Sequence, residues 1–224
     1  MMQEIIEGRD QHAFTCTELM ELPLTKENRT DAKIFNFRAI YADPETAAYA
    51  YFMDPRMPNF SQRKWDKILR GFFDHYRGMV SAHSRWVQEV RTTGRFVGPT
   101  GRHWTFKKKL KRGIMDYSVS DIYNYPVQGS AGDLIKLALI KIRKQLQERQ
   151  MRSLLVNTVH DSIIFDAPDD EVELLASIVM EVFHKIPALA AQYFDWHISV
   201  PITGEVGAGP SWGEMKLIQL GAKQ

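Results

Sequence analysis

Arg29, Lys33, Phe37 and Tyr41 recur every four residues. On a helix each step of four over-rotates by about 40°, so the four form a slowly winding stripe roughly 18 Å long, on the order of an extended nucleoside triphosphate. The cations lie at one end and the rings at the other. Arg and Lys suit phosphate oxygens, one as a planar fork and the other as a point charge. Phe37 can pack on sugar and base, and Tyr41 can stack on a base. An ordinary amphipathic helix with solvated cations and core rings gives the same spacing.

A second constellation is Val159-His160-Asp161-Ser162 between two apolar runs. A polar pair at the tip of a tight hairpin presents a carboxylate from a rigid support. A hard cation such as Mg2+ takes an oxygen ligand of this kind and keeps waters and phosphates for its other positions. A turn-forming Asp explains the same residues. A third is Asn124-Tyr-Pro-Val-Gln128-Gly-Ser-Ala-Gly-Asp133. Asn124 and Gln128 at a loop-to-helix junction can donate to base edges in a minor groove, or serve as capping and turn residues. Finally, nine Lys and Arg fall between Arg85 and Arg112 against one acid, Glu89, with Trp86, Phe96, Trp104 and Phe106 among them. Cations beside stackable rings suit a nucleic-acid backbone and its bases; a solvated basic face has the same composition.

These residues need elements to position them. His12 to Leu22 reads as a helix closed by Pro23. Thr25 reads as the N-cap of the helix bearing the stripe, which runs to about Ala42 and ends at Asp43-Pro44. Residues 42–60 read as irregular with a short helix, and Ser61 caps a long helix or helix pair reaching Val90. The turn signals Thr92-Thr93-Gly94 and Gly98-Pro99-Thr100-Gly101 bound a hairpin. Gly129 to Gln150 has helical spacing. Leu154 to Val159 and Ser162 to Phe165 read as paired strands. Pro168 opens a helix that Pro187 should break or kink, and His197 to Glu205 has strand character. The fold class is α+β, with helices first, an antiparallel sheet near the C-terminus and a boundary near residues 113–121.

The 224 residues carry a net charge of +2, and 44% are apolar, enough for a sizeable core. A single cysteine, Cys16, forms no internal disulfide and excludes a zinc cluster of cysteines. The acidic start has no signal-peptide pattern. The longest apolar run, Leu174 to Phe183, is too short for a membrane span. His-Glu-x-x-His and P-loop patterns are missing, which leaves the zinc-protease and P-loop nucleotidase readings without support.

Taken together, these motifs resemble DNA polymerases of family A, in a phage-type branch. Arg29-x3-Lys33-x3-Phe37-x3-Tyr41 is similar to motif B, the O-helix of the fingers. Val159-His160-Asp161 is similar to motif C, residues 124–134 to the palm segment between them, and Glu7-Gly8-Arg9-Asp10-x-His12 to the stretch before motif B. The resemblance implies a fingers subdomain over 1–115, with the O-helix at 25–42 and the basic hairpin region, and the C-terminal part of the palm over 116–224. It implies that His12, Arg29, Lys33, Phe37 and Tyr41 bind dNTP. It makes Asp161 and Lys33 catalytic, with Asp161 a metal ligand. Arg102, Asn124, Gln128 and His160 would contact primer-template DNA.

Three positions depart from the family pattern. Arg38 and Ala42 stand where glycines are common, and Ser162 stands where motif C often has Glu. Motif A, the source of the second carboxylate, is not found before Glu7. A two-ion Mg2+ site needs carboxylates from two separate places, and one of them is missing from this chain. The expected partners are therefore primer-template DNA, dNTP and a second polypeptide carrying motif A, thumb and exonuclease, with no membrane. The expected location is the cytoplasm, that of the host cell if phage-encoded. A non-catalytic DNA- or dNTP-binding remnant and a truncated gene fragment are the alternatives. A sheet around Leu154 to Phe165 without its neighbour would expose an apolar face and lower solubility.

Overall fold

The structure, a computed structural model, describes residues 2–42, 44–111 and 113–218. Asp43 of the expected helix stop and Arg112 of the basic run lie outside the described residues. The chain divides into two compact units, Met1–Gln128 and Gly129–Gln224. The class is α+β, with helices accompanied, among the described residues, by four separate two-stranded antiparallel ladders.

In the first unit, α1 (Met2–Ile6) and α2 (Gln11–Phe14) precede a π-helical turn, Thr15–Leu19, so the helix expected over His12 to Leu22 is a short α-helix that widens. Thr25 caps α3 (Lys26–Tyr41), its hydroxyl accepting the Asn28 N–H at 3.2 Å, and Ala42 ends the helix. Ala32, Phe35, Asn36 and Ala39 are its buried positions, spaced i, i+3, i+4, i+7 as one face requires. After α4 (Pro44–Phe52), Ser61 caps α5 (Gln62–His75), which buries Trp65, Ile68, Leu69 and Phe72 with the same spacing.

Phe35 sits at the centre of this core. Its ring lies 5.0 Å from Tyr51, 5.9 Å from Trp65 and 5.6 Å from Phe72. Burial of one such ring contributes about 2–3 kcal/mol, with about 1 kcal/mol more from each well-placed ring pair. A Cβ on Gly71 would come within 3.1 Å of Leu19 Cδ2, so α5 approaches the π turn closely there.

Helix α6 (Arg77–Thr93) ends at Gly94, whose φ of 73° is the left-handed conformation of a helix stop. Strands β1 (Arg95–Val97) and β2 (His103–Thr105) then form the expected hairpin, with Phe96 opposite Trp104. Strands β3 (Lys109–Lys111) and β4 (Ile114–Asp116) form another. Val90, Phe96, Phe106, Ile122 and Tyr123 make a separate apolar cluster in this unit.

Helix α7 (Val119–Glu148) corrects the expected start at Gly129: it begins ten residues earlier and contains Pro126. Asn124 and Gln128 therefore lie inside a helix and not at a loop-to-helix junction. Pro126 leaves the Ile122 carbonyl without its usual i+4 donor. Ile122 is fully buried, and packing holds the helix through the proline.

In the second unit, Leu137, Ala138, Ile142 and Leu146 of α7 pack with Leu175, Val182 and Ile186 of α8 (Val172–Phe194). Helix α8 is not broken at Pro187, because buried Ile186 and Ala190 anchor both sides of it. With its 3-10 entry it is long and apolar enough, by length and composition alone, to cross a membrane. Its buried residues belong to the core of this unit. Glu171 secures the entry to α8: it accepts the Ser153 hydroxyl at 2.6 Å and the Ser153 N–H at 2.8 Å. Hydrogen bonds from Ser153 and Arg152 hold its carboxyl down at about 2.

Strands β5 (Leu154–Val159) and β6 (Ser162–Asp166) pair as expected. His197 to Glu205 is not a strand. Pro201 removes a donor, and among the described residues no strand lies alongside. The tail instead pairs β7 (Gly207–Ala208) with β8 (Lys216–Leu217).

Candidate functional site

The face of α3 opposite its buried stripe carries Arg29, Lys33 and Phe37, all exposed. Phe37 leaves 52% of its surface in water, free to meet a flat apolar group. Lys33 Nζ stands 5.9 Å from the Phe37 ring centroid. The His12 ring lies 5.9 Å from the same ring, tilted by 49°. One cation and one imidazole thus flank the exposed ring, with Arg29 two turns earlier on the same face. Such a face can hold an anion at one end and a flat apolar group at the other.

Two residues that spacing did not reveal organise this face. Asp10 caps α2, its Oδ1 accepting the N–H groups of His12 at 2.9 Å and Ala13 at 3.0 Å. Its Oδ2 accepts from Arg29 Nε at 2.6 Å. The Arg29 hydrogen bond is the leading cause that holds the Asp10 carboxyl below its ordinary range. Because Nε is committed to Asp10, the guanidinium is fixed in direction. Asn36 is the other. Only 4% exposed, it lies between the π turn and His12, accepting the Thr15 hydroxyl at 2.8 Å. Its amide nitrogen contacts the Gln11 carbonyl at 3.3 Å and His12 Nδ1 at 3.0 Å. His12 is pushed below its ordinary pKa by burial first, then by Arg29, with Lys33 adding to the effect and Asp10 opposing it. The sequence held one sign of Asn36: a lone amide in the run Ile34-Phe35-Asn36-Phe37.

Tyr41 is half-buried at the far end of the stripe, and its hydroxyl accepts from Gln128 Nε2 at 3.4 Å. Two expected site residues far apart in the chain therefore meet within the first unit. Asn124 lies one turn before Gln128 on α7 and is half-buried. Arg102 stands exposed in the β1–β2 connection, its carbonyl accepting the Gly98 N–H at 2.9 Å. Arg38, in place of a common glycine, reaches Asp54 Oδ2 at 2.6 Å. Asp54 also takes Arg56, and the two guanidinium groups hold its carboxyl well below the usual range, Arg56 foremost.

In the second unit, His160 and Asp161 form the two-residue tip joining β5 to β6, with Val159 opposite Ser162. Both are exposed. His160 has a φ of 55°, a left-handed turn conformation, and Asp161 follows it in the two-residue tip. Among the described residues no three His, Cys, Asp or Glu side chains come together as a metal site. Asp161 alone does not make up the donor set of a two-ion site, so the described residues by themselves do not fit two Mg2+ ions.

The family profile of DNA polymerase family A matches residues 1–214. DNA polymerase I of Bacillus subtilis (strain 168) is 25% identical over 221 residues, covering 96% of this chain and 23% of that protein. DNA polymerase I of Aquifex aeolicus (strain VF5) is 28% identical over 182 residues, covering 80% of this chain and 30% of that protein. The chain therefore spans less than a third of the length of these relatives. Among solved structures, the POL domain of Pol1 from M. smegmatis, in complex with DNA primer-template and dNTP, superposes with a TM-score of 0.74. That alignment is 22% identical and covers 90% of this chain and 34% of that one. At that identity it establishes a shared fold. With nearly its whole length matched by one family profile, the chain belongs to DNA polymerase family A.

Proposed function

We propose that this chain is the C-terminal fingers-and-palm part of a DNA-directed DNA polymerase of a phage-type branch, acting in DNA replication in the cytoplasm. The carrying observation is the face of α3, where Lys33 and His12 flank the exposed Phe37 ring and Arg29, held by Asp10, lies two turns earlier. Arg29 and Lys33 take the triphosphate oxygens of an incoming dNTP, and His12 adds a third contact. Phe37 packs against sugar and base, and Tyr41, tied to Gln128, lies beside the templating base. Arg102, Asn124, Gln128 and His160 contact primer-template. Residues 1–115 act as fingers and 116–224 as the C-terminal palm.

Lys33 neutralises charge on the leaving pyrophosphate as the primer hydroxyl attacks the α-phosphate. Asp161 is one metal ligand. The remaining carboxylate must come from polypeptide outside these residues, and we infer a second chain carrying motif A, thumb and exonuclease.

Calorimetry with dATP tests the face directly. Lys33→Ala and Arg29→Ala should each weaken binding about tenfold, the loss of one charge-assisted contact. Unchanged affinity in both variants would sink the reading. Primer extension by the chain mixed with its partner tests the chemistry: activity that survives Asp161→Ala removes Asp161 from the mechanism. Binding without extension in every mixture favours a non-catalytic module.

A further inference from the structure

We propose that Asn36 is a positioning residue whose buried amide locks His12 in one tautomer, so that the imidazole offers an Nε2–H donor to the phosphate held by Arg29 and Lys33. The phosphate in that statement rests on the function proposed above; the tautomer rests on hydrogen-bond accounting alone.

Gln11 sets which way the Asn36 amide faces. Its backbone carbonyl can only accept, and it lies 3.3 Å from the Asn36 amide nitrogen. That end of the Asn36 side chain must therefore be the NH2 group. The Thr15 hydroxyl, at 2.8 Å, donates to the opposite end, the amide oxygen. Thr15 is fully buried and Asn36 nearly so, and neither can exchange these partners for water. The NH2 group has one hydrogen left, and His12 Nδ1 stands 3.0 Å away. Two donors cannot face each other at that distance. Nδ1 must therefore accept, and the ring proton sits on Nε2, on the ring edge away from Asn36.

The same contact opposes protonation, since an imidazolium would turn Nδ1–H toward the Asn36 NH2. The charged groups facing His12 are Asp10, which favours the cation, and Arg29 and Lys33, which oppose it. Both Arg29 and Lys33 belong to α3, as Asn36 does. A neutral ring with Nε2–H adds a donor without adding a third positive charge beside Arg29 and Lys33. The other tautomer would point a lone pair at a phosphate oxygen. Asn36 thus decides whether His12 attracts or repels the ligand.

Long-range 1H–15N spectra of the intact chain, with His12→Gln to assign the signal, report the tautomer. At about pH 7.5, above the ordinary imidazole range, wild-type His12 should carry its proton on Nε2. A proton on Nδ1, or a charged ring, overturns the proposal without any variant. Asn36→Asp replaces the donor by an acceptor and should move the proton to Nδ1 or charge the ring. Its affinity for inorganic tripolyphosphate should fall about tenfold if the neutral Nδ1–H form results. Asn36→Leu, which removes the donor but adds no charge, should give a tautomer mixture and a smaller loss. Unchanged affinity in Asn36→Asp despite a shifted tautomer overturns the positioning role alone. Failure of the wild-type chain to bind tripolyphosphate overturns the nucleotide reading, whatever the tautomer.

Discussion

Asp10→Ala removes two interactions at once, and a conservative partner separates them. The carboxylate caps α2 through the N–H groups of His12 and Ala13, and it also holds Arg29 Nε at 2.6 Å. Loss of an N-cap costs about 1 kcal/mol. The ion pair joins side chains that are 44% and 40% exposed, so screening leaves it worth about 0.5 kcal/mol. Asp10→Ala should therefore cost about 1.5 kcal/mol. Asp10→Asn keeps the cap, because Asn caps as well as Asp, and should cost about 0.5 kcal/mol.

Native-state hydrogen exchange at the α3 amides reads both: about tenfold faster exchange in the Ala variant and about twofold in the Asn variant. The sign with pH follows from the lowered Asp10 pKa. The ion-pair stabilisation is present above the unfolded carboxyl pKa and is lost as pH falls through the lower folded value. The wild type and Asp10→Asn should therefore converge in acid. An Asn variant as unstable as the Ala variant would refute the partition and make the charge, not the cap, the larger contribution.

Two further outcomes follow from burial. His83 stacks on Tyr123 with centroids 3.8 Å apart, and burial pushes it down to about 4. Its stabilising effect is complete above the unfolded value near 6.5 and is lost as pH falls through about 4, up to about 3 kcal/mol in all. Denaturant midpoints at about pH 5 and pH 7 should differ less in His83→Phe, and an unchanged pH slope in that variant would refute the assignment. On the second unit, Leu154 and Val156 point out of β5 with 60% and 54% of their surfaces exposed, and Ile140 with 64%. Light scattering should show self-association that rises with concentration and weakens in Val156→Thr; a monodisperse chain at high concentration contradicts it.

Local signals carried much of the fold. Thr25 and Ser61 announced α3 and α5 because a capping hydroxyl acts within three residues of itself. The hairpin tip at His160-Asp161 was legible because two apolar runs flank two polar residues. Pro187 misled, since tertiary packing overrides the local cost of a helical proline. Within the candidate site, the repeat from Arg29 to Tyr41 was visible as spacing. The Arg29–Asp10 pair, the Asn36–His12 contact and the Tyr41–Gln128 contact join residues 19, 24 and 87 positions apart. Such contacts exist only once the chain has folded, and no periodicity encodes them. Asp10 caps α2 with one oxygen and holds Arg29 with the other, and the second contact has no local signal.

The apolar interior is divided. Phe35 and Trp65 belong to one cluster, Val90 and Phe96 to another, and Ile142 and Ile186 to a third. Melting can begin in any of them. Trp65 watches the first and Trp86 and Trp104 the second, while Trp196 and Trp212 lie in the other unit. Unfolding curves followed through different tryptophans need not coincide, and one transition temperature would then describe none of the three.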